Sequence, residues 1–237
     1  MTDCWNCHRE AIDIHFCTHC GKIQPAGDRD YFAFLGLPPS LKLDFQELEK
    51  RFHDFSRRFH PDRFFRSSEQ EQAYSIEQSA RLNDSYRTLK ELVLRTEYLL
   101  SLYGMKPDFK KQQAPAALLE EVFEVKGEIE DLHAASQSGN REQAERALRE
   151  LRQSESSLHR KMQELDLELD KLSEKWEQVF VRASHGNAMA NIGQSNDPEI
   201  RVILSALQQN ILKRSYLGNL IRQIDSEAGQ DVPSRRN

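Results

Sequence analysis

Between residues 44 and 59 the apolar positions are Phe45, Leu48, Phe52, Phe55 and Phe59, separated by steps of three, four, three and four. This spacing predicts a helix from about Asp44 to Phe59 with all five side chains on one stripe. Asp44 serves as its N-cap, with Glu47 three residues on in a capping-box arrangement. The remaining faces carry Lys50, Arg51, His53, Arg57 and Arg58. Pro61 cannot extend a helix and disfavours helical dihedrals at His60, so His60-Pro61-Asp62 begins a loop. A short helix is expected between Asp30 as N-cap and Gly36 as C-cap, ahead of a rigid Pro38-Pro39-Ser40 break. After the loop, Ser67 or Ser68 opens a helix to about Leu89. Its Ile76, Ala80, Asn83, Tyr86 and Leu89 are expected to pack on the phenylalanine stripe, which reads as core. A fourth helix ends at Gly104.

The rest of the chain shows helical periodicity almost throughout. Residues 105–115 contain two prolines and polar residues, and read as a linker. Helices are predicted over about 116–136, 141–184 and 198–226. The first stop is Gln137-Ser138-Gly139-Asn140, and Pro198 sits at a favourable first helical position. Leu151, Leu158, Leu165, Leu169, Leu172, Trp176 and Phe180 keep near-helical spacing along the longest of these. Such length also suits a coiled coil, but the flanking helices carry apolar stripes that need a partner. A three-helix bundle is therefore preferred. Residues 184–195 read as a loop and the last seven as disordered.

All four cysteines fall in the first twenty residues, as Cys4-Trp5-Asn6-Cys7 and Cys17-Thr18-His19-Cys20. Two CxxC pairs nine residues apart have the spacing of a zinc-ribbon or rubredoxin-like site, in which two knuckles offer four thiolates to one tetrahedral ion. So short a module cannot bury a core of its own, and metal binding would supply its folding energy. Zinc fits best, with iron as the alternative, and a filled four-sulfur shell makes the site structural. His8, His15 and His19 are then expected at the surface. Self-association into a homodimer is one role open to the module.

Composition narrows the function classes. The chain has 237 residues, 38% hydrophobic and 30% charged, with a net charge of −5 and a mean hydropathy of −0.73. Net acidity, with no Lys/Arg clustering around the cysteines, speaks against nucleic acid. No apolar run approaches the ~20 residues of a membrane span. The first residues form neither a signal core nor an Arg-rich transit segment, which points to the cytoplasm. No nucleophile–base pair, Gly-rich phosphate loop or carboxylate pair appears, and His133, His159 and His185 sit in polar contexts. The sequence does not read as an enzyme.

A basic helix leading into Phe59-His60-Pro61-Asp62-Arg63, after Asp30-Tyr31-Phe32 and before Leu82-Asn83-Asp84-Ser85-Tyr86, resembles the J-domain of DnaJ-type co-chaperones. Arg95-Thr96-Glu97-Tyr98-Leu99-Leu100, the helical tail and the tetracysteine module narrow the resemblance to the HscB family, in its metal-binding variant. The resemblance implies an all-α fold: a J-domain helical hairpin (28–104), a linker (105–115) and a C-terminal three-helix bundle (116–230), after a tetracysteine module (1–27) and before a disordered end (231–237). It also implies a co-chaperone that stimulates a dedicated, HscA-like Hsp70 through His60, Pro61, Asp62, Arg51, Arg57 and Arg58. Asp54 departs from the basic residue common there. The tail would hold an IscU-like iron–sulfur scaffold protein through Leu119, Phe123, Glu124 and Tyr216, although Glu120 and Gly127 depart from the family's apolar and acidic residues. Residue spacing alone would equally place Leu119 and Phe123 in the bundle core. The location implied is the bacterial cytosol, or the mitochondrial matrix for a processed form. The alternative is a general folding J-protein whose tail binds unfolded segments.

Overall fold

A computed structural model describes residues 3–10, 13–105, 115–183 and 197–230. Most of the expected linker, the expected 184–195 loop with His185, and the terminal 231–237 segment lie outside the described residues. Among the described residues there are seven α-helices: α1 (Tyr31–Leu35), α2 (Phe45–Phe59), α3 (Glu69–Lys90), α4 (Leu92–Leu102), α5 (Leu119–Gln137), α6 (Arg141–Ala183) and α7 (Pro198–Gln230). The fold is all-α; among the described residues, β structure is limited to the isolated bridges Asp3–Glu10 and Phe16–Ile23. The chain packs as two units, residues 1–104 with 174–200 and residues 105–173 with 201–237.

Local chemistry sets the helix ends. Asp30 caps α1 by accepting from the Ala33 N–H, and Gly36 ends it at φ 66°. A side chain there would be strained by the positive φ, and its Cβ, 2.6 Å from an Arg51 guanidinium nitrogen, would make that guanidinium shift. Arg51 donates to the Leu35 and Gly36 carbonyls at 2.8 Å each, so it closes the C-terminus of α1 from α2. Ser68 opens α3 with a full capping box to Glu71.

The hairpin core differs from the sequence expectation in two ways. Leu48 and Phe59 are buried, but Phe45 at the start of the stripe is 52% exposed, with the Arg95 guanidinium over its ring. Phe52 and Phe55 are half-buried, the first stacked on Tyr86 with ring centroids 4.2 Å apart. On α3, Ile76 is 60% exposed, whereas Ser75, Gln78, Leu82, Ser85 and Leu89 are buried. The inward face of α3 is therefore mostly polar. Its small hydroxyls let the helices approach closely, and Ser75 Oγ donates to the Phe59 carbonyl at 2.6 Å. Arg95 is buried and donates to the Leu89 and Leu41 carbonyls; burial brings it down to about 10.

The last turns of α6 complete this unit. Trp176 is fully buried, and its indole donates to the Pro39 carbonyl at 3.0 Å. Glu177 Oε1 accepts from Ser40 Oγ at 2.9 Å, Leu41 N–H at 2.7 Å and Lys42 N–H at 3.2 Å, so one carboxylate organises the α1–α2 connection.

In the second unit, α5, α6 and α7 form a three-helix bundle. Its continuous core runs from Val125, Ile129 and Leu132 on α5, through Leu151, Leu158 and Leu165 on α6, to Leu217, Leu220 and Ile224 on α7. Each fully buried leucine or isoleucine contributes about 1.5–3 kcal/mol. Asn210 lies buried at this core and donates to the Leu165 carbonyl at 3.0 Å.

Candidate functional site

The Cys4–Cys7 and Cys17–Cys20 knuckles have matching backbones. His8 N–H donates to the Cys4 carbonyl at 2.9 Å and Gly21 N–H to the Cys17 carbonyl at 2.8 Å. Both His8 and Gly21 have positive φ, 56° and 69°, which turns each knuckle so that its two sulfurs face inward. None of the four is in a disulfide. Cys4 Sγ lies 3.6 Å from Cys20 Sγ and Cys7 Sγ lies 3.7 Å from Cys17 Sγ, and all four sulfurs fall within 4.8 Å of one another. Metal–sulfur bonds of about 2.3 Å in a tetrahedron give sulfur–sulfur edges of about 3.8 Å. The donor set and its dimensions thus fit one metal ion. Burial opposes ionisation of Cys4, yet N–H groups of Cys7 and Asn6 and the neighbouring thiols bring it down to about 6. The Arg9 N–H favours the Cys7 thiolate, but burial and the other three sulfurs push that thiol up to about 11. Were all four ionised, a cation among them would relieve their mutual repulsion.

The module lacks a core but is not free-standing, and sequence reasoning missed how it docks. His15, expected at the surface, is 3% exposed. Its Nδ1 lies 3.1 Å from Gln78 Oε1 and its Nε2 2.9 Å from the Phe34 carbonyl, with its ring against Phe34, Phe55 and Phe59. Burial, partly offset by these two acceptors, holds the imidazole below its ordinary value. Gln78 also donates to the Gln24 carbonyl at 2.8 Å. Trp5 packs edge-on against Tyr74. Lys22 pairs with Glu71 at 2.8 Å. Burial alone would raise the Glu71 carboxyl, but Lys22 and Ser68 outweigh it and hold it low. The available signal was the excess of rings: Trp5, His15 and Phe16 have nothing within so small a module to cover them.

The tip of the α2–α3 hairpin holds the expected triplet. Pro61–Phe64 forms one 3₁₀ turn, and His60, Pro61 and Asp62 are all exposed, the Asp62 side chain at 91%. His60 Nδ1 lies 3.3 Å from the Asp62 backbone nitrogen and 3.5 Å from the Asp62 carboxylate. Arg57 is exposed and pairs with Asp54. Arg58 is exposed as well, its guanidinium 4.6 Å above the Phe16 ring and 3.8 Å from Asp13. Arg51 differs from both, being turned inward onto α1.

On α5, Leu119 and Phe123 are exposed, at 40% and 70%, and Glu124 is exposed beside them. Glu120 and Gly127 are exposed too. Tyr216 of α7 is half-buried and packs against the bundle core.

The described residues thus contain a two-helix hairpin with an exposed His-Pro-Asp tip and a tetracysteine module docked on it in one unit, and a three-helix bundle in the other. No protein-family model matches the chain. The chain is similar to the Mus musculus iron-sulfur cluster co-chaperone protein HscB, with 36% identity over 134 residues covering 54% of this chain and 57% of that protein. It is also 33% identical to the Arabidopsis thaliana iron-sulfur cluster co-chaperone protein HscB homolog, over 129 residues covering 54% of this chain and 51% of that one. The chain thus spans about half the length of the curated relatives it matches. In fold it is similar to the crystal structure of human co-chaperone protein HscB, with a TM-score of 0.64, 23% identity, and 95% and 98% of the two chains covered. Chaperone HscB from Vibrio cholerae gives a TM-score of 0.52 at 25% identity, over 85% of this chain and 99% of that one. Sequence and fold point the same way: over about half its length the chain is similar to proteins named HscB, and its fold is similar to that of solved HscB structures.

Proposed function

We propose that this protein is a co-chaperone that stimulates ATP hydrolysis by a dedicated, HscA-like Hsp70 and delivers an IscU-like iron–sulfur scaffold to it. The observation that carries this reading is the exposed His60-Pro61-Asp62 tip of a basic helix, in a chain similar to proteins named iron-sulfur cluster co-chaperones. His60 offers an exposed imidazole, Asp62 an exposed carboxylate 3.5 Å from it, and Pro61 fixes the turn between them. Arg57 and Arg58 extend the same rim. Arg51 acts behind it, by holding α1 to α2.

The tail unit receives the scaffold through Leu119, Phe123 and Glu124 of α5, with Tyr216 contributing from α7. An exposed phenylalanine at helical spacing from an exposed leucine supports a partner surface, since both would otherwise turn into the core. Cys4, Cys7, Cys17 and Cys20 hold zinc, or iron in its place, as a closed structural site; the ion supplies a cross-link between the knuckles. The protein works in the bacterial cytosol or, as a processed form, in the mitochondrial matrix. Among the described residues no helix is long and apolar enough to cross a membrane.

ATP turnover by the cognate Hsp70, measured with this chain and the scaffold singly and together, tests the reading. Synergy between the two is the expected result. Stimulation indifferent to the scaffold would assign the tail to unfolded clients and overturn scaffold delivery.

A further inference from the structure

Beside the His60–Asp62 tip, the second knuckle and the hairpin enclose a cleft of about 280 Å³, lined by Phe16, Gly21, Arg58, Arg63, Phe64 and Ser67. Its lining joins two elements distant in sequence, the metal module and the 3₁₀ turn after the triplet. The lining brings together two arginines, a serine and two phenylalanines, and among the described residues no carboxylate lines the cleft. Phe16 fixes the Arg58 guanidinium by stacking, while Asp13 lies at the outer range of an ion pair, 3.8 Å. Arg63 donates to the Arg57 carbonyl at 3.4 Å. A guanidinium presents up to five N–H donors, in a fork that matches a carboxylate. The volume lies just below that of small-molecule pockets, about 300–1,000 Å³, and suits a single side chain.

We propose that the metal module supplies one wall of the ATPase-docking surface, and that this cleft receives an acidic side chain of the Hsp70 partner. The inference rests on the co-chaperone reading above and extends it to residues outside the helical hairpin. Position argues for this occupant: the cleft shares Arg58 with the basic rim and begins one residue beyond Asp62. The wall is also prebuilt. Phe16 stacks on Phe59 at 5.9 Å, and the neighbouring His15 is locked between Gln78 and the Phe34 carbonyl, so no ordering cost falls on the module when the partner arrives. The metal then matters to docking by holding Phe16 and Gly21 in place.

The test is a titration of Hsp70 ATPase stimulation with the full chain, its metal bound, comparing the parent with Arg63→Glu, Ser67→Glu and Phe16→Ala. Metal content and helical circular dichroism identify variants that have lost the fold, and His60→Gln is the control for the tip. Charge reversal at Arg63 and an added carboxylate at Ser67 should each raise the half-maximal concentration about tenfold. Phe16→Ala, which leaves both guanidiniums but removes the wall, should raise it about threefold. Parent-like titrations for Ser67→Glu and Phe16→Ala, with stimulation still dependent on His60, would overturn the cleft and leave the co-chaperone reading intact. A parent chain that fails to stimulate at all would overturn both.

Discussion

The His60–Asp62 tip and the Leu119–Phe123 face are both exposed, yet their exposure has opposite physical meanings. At the tip the exposed groups are an imidazole, a carboxylate and a proline, which water solvates at little cost. On α5 they are hydrocarbon, and Phe123 leaves most of its ring in water. Covering such a ring returns about 1.5–3 kcal/mol. Under the proposed function, the tip would act by the direction and charge of its few polar groups, while the face would act by area and gain from almost any close cover. A polar trigger and an apolar grip fit different tasks: one changes what a partner does, the other holds a partner in place.

Substitutions can separate the two. The largest effect expected is at the tip: His60→Gln should remove Hsp70 stimulation while helical circular dichroism stays at the parent level, because the ring is exposed. Loss of helix in that variant would make His60 a folding residue and dissolve the contrast. Next comes the face. Phe123→Ala should weaken scaffold binding by about 2 kcal/mol, roughly thirtyfold, on a calorimetric titration. Its thermal stability should stay within about 0.5 kcal/mol of the parent, as for other surface substitutions, so a clear stability loss would mean that the ring is core after all.

A smaller effect is expected where the metal module meets α3. Glu71→Gln should cost about 1–2 kcal/mol of the first unit's stability by breaking the Lys22 pair. The Glu71 carboxyl is held below its unfolded value of about 4.3, so its contribution is present above that value and is lost as pH falls through the folded one. Denaturant midpoints measured across that window should therefore show a shallower acid slope in Glu71→Gln.

How much of this was legible in the sequence follows from which forces were local. Helix ends were, because a cap or a breaker acts within a few residues: α2 and α6 end within a residue of expectation, Pro198 opens its helix as read, and of the two serines offered for α3 it is Ser68 that caps. The tetracysteine knuckles were legible for the same reason. The inward face of α3 was not. Ser75, Gln78 and Ser85 are polar; Ser75 lies under Phe59 and Gln78 under the docked His15, and neither contact leaves a periodic apolar signal. His15 was misplaced because its partners stand 19 and 63 residues away. Leu119 and Phe123 were ambiguous because helical spacing names a face without saying which neighbour covers it.

The carboxylate of Glu177 bears on where this protein can be cut. A fragment ending at Gly104 would keep every residue of the His-Pro-Asp motif and both knuckles. It would lose the acceptor that gathers Ser40, Leu41 and Lys42, together with the indole seated on Pro39. The segment joining α1 to α2 would then have bare amides where it now has a shaped bend. An autonomous piece of this chain is defined by who satisfies its hydrogen bonds, and for the hairpin that boundary includes a short stretch more than 130 residues downstream.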